Sequence, residues 1–214
     1  MDWNTISTFL QENAIELLAA AITFLWIYFE IKASMWMWPL GVILPIFWIY
    51  ISMESRFYGN VVVNTYYLIT TIIGWVMWAR NPKGTEQGQI RTLWGKLLAL
   101  SLLGMVLLAV PTYGLLSNCW GWFDIPAENT SSLPWADTLA TLISFVGMIW
   151  LALKVKEQWL CWLFANIFSS IIFFHTRYWI SGVVFVVNVS LSVIGYRQWI
   201  RMQRAQSQSH YSAT

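Results

Sequence analysis

Residues 56–78 are echoed 121 residues later. Arg56-Phe57-Tyr58 opens an apolar run that ends at Gly74-Trp75, with Trp78 three residues on; Arg177-Tyr178-Trp179 opens a second that ends at Gly195-Tyr196, with Trp199 three on. All six positions share the offset. A looser echo lies upstream, where Trp36 falls 123 residues before Trp159. A chain whose late third copies its early third is expected to fold as a pseudo-symmetric bundle. In a membrane, such bundles are typically carriers with a site on the symmetry axis.

Composition puts this bundle in a membrane. Of 214 residues, 58% are hydrophobic and 10% charged, with a mean hydropathy of +0.57, whereas soluble domains are about a quarter charged. The apolar runs each approach the ~20 residues that a bilayer demands. The expectation is an all-α integral membrane protein with a single transmembrane domain. The first sixteen residues carry acids and no Lys or Arg, so they lack the basic start of a signal peptide. Sixteen Trp are present; some suit an interfacial belt, but others fall in mid-span.

Seven helices are expected, at 15–31, 35–53, 58–79, 93–117, 136–153, 158–174 and 178–197. With the N-terminus outside, the inner side holds ten Lys and Arg and the outer side only Arg56 and Arg177. That bias sets the N-terminus outside and the C-terminus in the cytoplasm. Residues 15–79 and 136–197 then form two parallel three-helix repeats, 93–117 a linker helix that restores orientation, and 198–214 a cytoplasmic tail. The pseudo-twofold lies along the membrane normal.

Three polar-aromatic stripes could carry chemistry. Asn64, Tyr67, Thr71, Trp75 and Trp78 share one face of the third helix; Trp159, Trp162, Asn166 and a serine at 169 or 170 share one face of the sixth; Asn188 and Ser192 share one face of the seventh. Such residues also hydrogen-bond helices together with no ligand, at about 1 kcal/mol each. As a set, amides and hydroxyls with indoles suit an aromatic polar ligand, and indole faces attract a cation. The acidic residues fall near span ends, and no carboxylate stands at a midplane, which favours facilitated diffusion over ion coupling. Glu157 is either a helix-start acid favoured by the dipole or a gate partner. Arg56 and Arg177 are either snorkelling residues or an outer gate.

Absences exclude other classes. The chain has no phosphate-binding G-x-x-x-x-G-K-[ST] loop, no metal-ligand spacing and no nucleophilic triad set, so neither an enzyme nor a resident cofactor or metal is expected. The seventh helix has no Lys to hold retinal. A seven-helix receptor that binds without moving its ligand is the alternative class, though residues 198–214 offer little surface to a signalling partner.

Trp159-x-x-Trp162-x-x-x-Asn166, Gly74-Trp75-x-x-Trp78 and the 3+1+3 layout resemble the Pnu vitamin transporters over nearly all of residues 15–204. The resemblance implies a SWEET-like layout, uptake of an aromatic vitamin across the inner membrane with trapping by a cytosolic kinase, and a homotrimer. Within the family, Asn64 and Thr71 stand where riboside carriers tend to have Gln and Asn. Glu30-Ile31-Lys32-Ala33-Ser34, Trp38-Pro39-x-Gly41 and Asn64-x-Tyr66-Tyr67 look like the thiamine branch. Thiamine is therefore the expected substrate and nicotinamide riboside the alternative. Both carry a permanently cationic ring.

Overall fold

The computed structural model describes residues 14–54, 58–81, 88–119, 121 and 130–211. It contains seven helices: α1 Ala14–Ile31, α2 Met37–Glu54, α3 Tyr58–Arg80, α4 Gly95–Ser117, α5 Pro134–Ala152, α6 Gln158–His175 and α7 Trp179–Tyr211. The last five are long and apolar enough to cross a membrane, and α1 and α2 contain shorter apolar stretches, Ala20–Ile31 and Met37–Tyr50. Apolar side chains such as Val106, Leu107 and Val110 of α4 point outward, as a helix facing lipid requires.

Six of the helices close into a ring. Each packs on the next in the order α1, α2, α3, α5, α6, α7 and back to α1, while α4 leans mainly on α5. The two contacts that join the halves, α3 with α5 and α7 with α1, exchange under the sequence repeat.

The repeat extends to single hydrogen bonds. In the α1–α2 turn, the amides of Lys32, Ala33, Ser34, Met37 and Trp38 donate to the carbonyls of Tyr28, Glu30, Phe29, Ser34 and Met35. In the α5–α6 turn, Leu153, Lys154, Val155, Gln158 and Trp159 donate to Ile149, Leu151, Trp150, Val155 and Lys156. Every donor and acceptor is shifted by 121. The left-handed residue that ends each helix obeys the same shift, Ala33 at φ 44° and Lys154 at φ 58°. The counterpart of Trp159 is therefore Trp38. The sequence pairing with Trp36 is corrected, because Trp36 lies 69% exposed whereas Trp38 is fully buried. In the corrected register Asn166 corresponds to Pro45 of α2.

A second correction concerns the C-terminus. Residues beyond 197 are not a separate tail but continue α7 to Tyr211. Arg, Gln, Met and Ala favour helix, and neither Gly nor Pro interrupts them. Gln203 and Gln206 of this extension hold the segment before α4. The Gln203 amide donates to the Ile90 carbonyl (3.2 Å) and Thr92 Oγ1 (3.0 Å), and Gln206 Oε1 accepts from the Ile90 amide (3.0 Å). The buried Lys154 ammonium donates to the carbonyls of Asn81 (2.7 Å) and Gly88 (3.2 Å) and stands 4.8 Å from the Trp78 ring centre. Lys32, Arg80, Arg91, Lys154 and Lys156 thus gather at one end of the ring, its basic end.

Candidate functional site

Near the basic end the ring is filled by four tryptophans, two from each half. Trp38 and Trp78 meet edge to face at 5.4 Å, Trp159 and Trp199 at 6.1 Å, and Trp78 meets Trp199 at 6.3 Å. Glycine makes the room. A methyl group at Gly74 would stand 2.2 Å from the Trp38 ring, and one at Gly195 would stand 2.4 Å from Trp159. Each half also caps the other. Trp199 Nε1 donates to the Glu30 carbonyl at the end of α1 (3.0 Å), and Trp78 Nε1 donates to the Leu151 and Ala152 carbonyls at the end of α5 (3.3 and 3.1 Å). The Glu30 and Leu151 carbonyls also accept the amides of Ala33 and Lys154 in the turns that follow. The four indoles form a plug across the basic end.

Trp159 belongs to this plug and is almost fully buried. Its companion in the sequence stripe, Trp162, is one turn further on and is partly open. The Trp162 ring meets Trp26 of α1 edge to face at 6.0 Å. Here the halves differ in a complementary way. Trp26 corresponds to Gly147 and Trp162 to Gly41 in the 121-residue register. In one half Trp26 fills the notch at Gly41; in the other Trp162 fills the notch at Gly147. Helix α7 stands between α1 and α6 in the ring, so this indole pair meets over the interior. Trp162 Nε1 donates to the fully buried Glu30 carboxylate (2.9 Å).

Polar groups lie beyond the pair, away from the plug. Asn166 Nδ2 donates to Ser192 Oγ (3.4 Å), which donates to the Asn188 carbonyl (2.8 Å). Asn188 is buried, and its Oδ1 has no partner among the described residues. Tyr67, the repeat counterpart of Asn188, packs against Tyr66 and Phe145 and stands beside Ser144. Thr71 is buried against the Gly41 notch. Asn188 and Tyr67 are eleven residues from Trp199 and Trp78, roughly 16 Å along a helix. Asn64 lies further still and donates to Asn60 at its carbonyl (2.9 Å) and Oδ1 (3.0 Å). Trp75 is 39% exposed, the most open residue of its stripe.

The gate candidates have local duties. Glu157 Oε2 accepts the Leu93 amide (2.8 Å) and Oε1 stands 3.6 Å from Lys156 Nζ, so this acid is tied to the segment before α4. Arg177 sits at φ 65° in the α6–α7 turn, where its amide donates to the Phe174 carbonyl (3.2 Å). Arg56 lies outside the described residues.

Residues 13–201 match the family described as the nicotinamide mononucleotide transporter. The chain belongs to this family. It is 22% identical to the nicotinamide riboside transporter PnuC of Escherichia coli K12 over 171 residues, 72% of this chain and 71% of that one. It is 28% identical to PnuC of Haemophilus influenzae over 165 residues, 76% and 68% of the two chains. It is 23% identical to the riboflavin/roseoflavin transporter RibM of Streptomyces davaonensis over 186 residues, 82% and 79% of the two. A crystal structure of the vitamin B3 transporter PnuC shares the fold, with a TM-score of 0.73 at 19% identity, over 95% of this chain and 87% of that one. The chain is a multi-pass inner-membrane transporter of the PnuC type.

In this PnuC-type chain, sequence reasoning missed Trp26 and Glu30. Both lie on one face of α1, one turn apart, and the Trp-for-Gly exchange in the 121-residue register was the signal that marks Trp26. Nothing in the sequence separates Glu30 from the other acids near span ends; its burial arises from the cap that Trp199 places on α1.

Proposed function

We propose that this chain takes up a vitamin with a cationic aromatic ring by facilitated diffusion, and that the vitamin is nicotinamide riboside. The observation that carries the reading is the Trp26–Trp162 pair over the ring interior, in a chain whose relatives include nicotinamide riboside transporters. The pair offers indole faces to a planar cation. Asn166, Asn188, Tyr67 and Thr71 supply amides and hydroxyls for the substituents of such a ligand. The plug of four tryptophans closes the basic end, read as cytoplasmic from the Lys and Arg bias. Transport then needs the two halves to rock apart at the plug, releasing the reciprocal indole caps, with a cytosolic kinase trapping the product. The reading omits ion coupling: Asp137, the described acid near Tyr67, sits in the first turn of α5 at a span end, and Glu30 lies lower, beside the plug. Assembly as a homotrimer belongs to the same reading.

Thiamine is a second reading, favoured by Asn64 and Thr71 at positions where riboside carriers tend to have Gln and Asn. Purified protein titrated with nicotinamide riboside, thiamine and riboflavin, read by tryptophan fluorescence, separates them. Nicotinamide riboside is expected to bind in the micromolar range or tighter and to be the strongest of the three. Tighter binding of thiamine would install the second reading, and tighter binding of riboflavin would exclude a cation-selective site.

A further inference from the structure

Glu30 is fully buried. One carboxylate oxygen accepts Trp162 Nε1; the other has no partner among the described residues. Gln158, also fully buried, faces the carboxylate without completing a hydrogen bond. No lysine or arginine among the described residues pairs with it; the ion pair nearby is Lys156 with Glu157. An acidic group enclosed in a membrane protein without a counter-charge is costly. Residues that only pack a helix end need no carboxylate.

The location of Glu30 suggests what offsets that cost. Its bonded partner is Trp162, which like Trp26 is half-buried. In its ionised form, which a cation held over the ring favours, a carboxyl group accepting an indole N–H fixes the plane of the ring and pushes electron density into its π face. Both effects strengthen the attraction of that face for a positive charge, and the same low-dielectric surroundings that penalise the bare carboxylate lengthen the reach of its field.

We infer that Glu30 is a positioning and specificity-determining residue, which orients Trp162 and makes the aromatic site prefer a ring bearing a permanent positive charge over its neutral counterpart. The inference rests on the proposed carriage of a cationic aromatic vitamin and adds the source of the discrimination. Glu30 does not touch the ligand; it acts through Trp162.

The test compares a cationic ligand with a neutral one of nearly the same shape, nicotinamide riboside and its dihydro form, by the dissociation constants of purified protein in detergent. The wild-type chain is expected to favour the cation by about tenfold or more. Glu30→Gln keeps an acceptor for the Trp162 N–H and removes the charge; it should reduce the preference to within about threefold, mainly by weakening the cation. Glu30→Asp keeps the charge and should retain the preference even where both affinities fall. A purely structural role would weaken both ligands together and leave the ratio unchanged in Glu30→Gln, which would overturn the inference. A wild-type chain that binds both forms equally overturns it without recourse to any variant. A wild-type chain that binds neither form, but binds riboflavin, fails the functional reading itself.

Discussion

Single residues set the geometry of the interior. Gly74 and Gly195 admit indoles that no other side chain would. Gly74→Ala and Gly195→Ala should each cost about 1–3 kcal/mol by overpacking, seen as a lower melting midpoint in detergent; an unchanged midpoint would mean that the tryptophans swing aside freely. The indoles themselves divide by position. Trp162→Ala should abolish measurable ligand binding, since it removes half of the aromatic pair and frees the Glu30 carboxylate. Trp75→Ala should change affinity by less than about threefold, because that ring is more exposed than Trp26 or Trp162. Equal losses in titration of the two variants would place the ligand elsewhere. Helical periodicity in the sequence put Trp75 on the same stripe as Thr71 and Trp78, and the structure leaves it far more exposed than either. Trp159 shared its stripe with Trp162, and only the contact with Gly195 shows that it belongs to the plug.

The helices were mostly legible in the sequence. Runs of the length that a bilayer selects marked all seven, with ends that differ by one or two residues except in α7. The exception is instructive. Apolar content located the span and stopped near Arg197, but helix propensity and the Gln203 and Gln206 bonds carry α7 on to Tyr211. That extension holds Ile90 and Thr92, while Arg91 exchanges backbone hydrogen bonds with Lys154 and Lys156. The segment before α4 is thereby stapled to α7 and to the α5–α6 turn. Replacing both Gln203 and Gln206 by Ala should speed hydrogen exchange at the amides of Ile90 and Arg91 by about tenfold or more, as their three hydrogen bonds to Ile90 and Thr92 are lost. Exchange as slow as in the wild type would show that the bonds from Lys154 hold the segment alone.

At the scale of the molecule, the repeat was the informative feature, and the structure sharpened its register. One offset of 121 residues relates the turns, the left-handed residues, the plug tryptophans and the caps that each half places on the other. The interior itself departs from that symmetry: Trp26 against Gly147, Gly41 against Trp162, Tyr67 against Asn188 and Glu30 against Leu151. Two halves alike in backbone can exchange roles as they rock, while an unlike lining holds a ligand that has no symmetry of its own. The 121-residue offset in the sequence already pairs Tyr67 with Asn188, and the matching turn contacts extend the same register to Trp26, Glu30 and Gly41. The central claim is that this pair of halves moves an aromatic vitamin without an ion gradient. Counterflow in proteoliposomes tests it most directly. Vesicles loaded with unlabelled nicotinamide riboside and diluted into labelled compound, with proton and sodium concentrations equal on both sides, should accumulate label transiently above the empty-vesicle level. No accumulation, or accumulation only under an imposed proton or sodium gradient, would contradict the account.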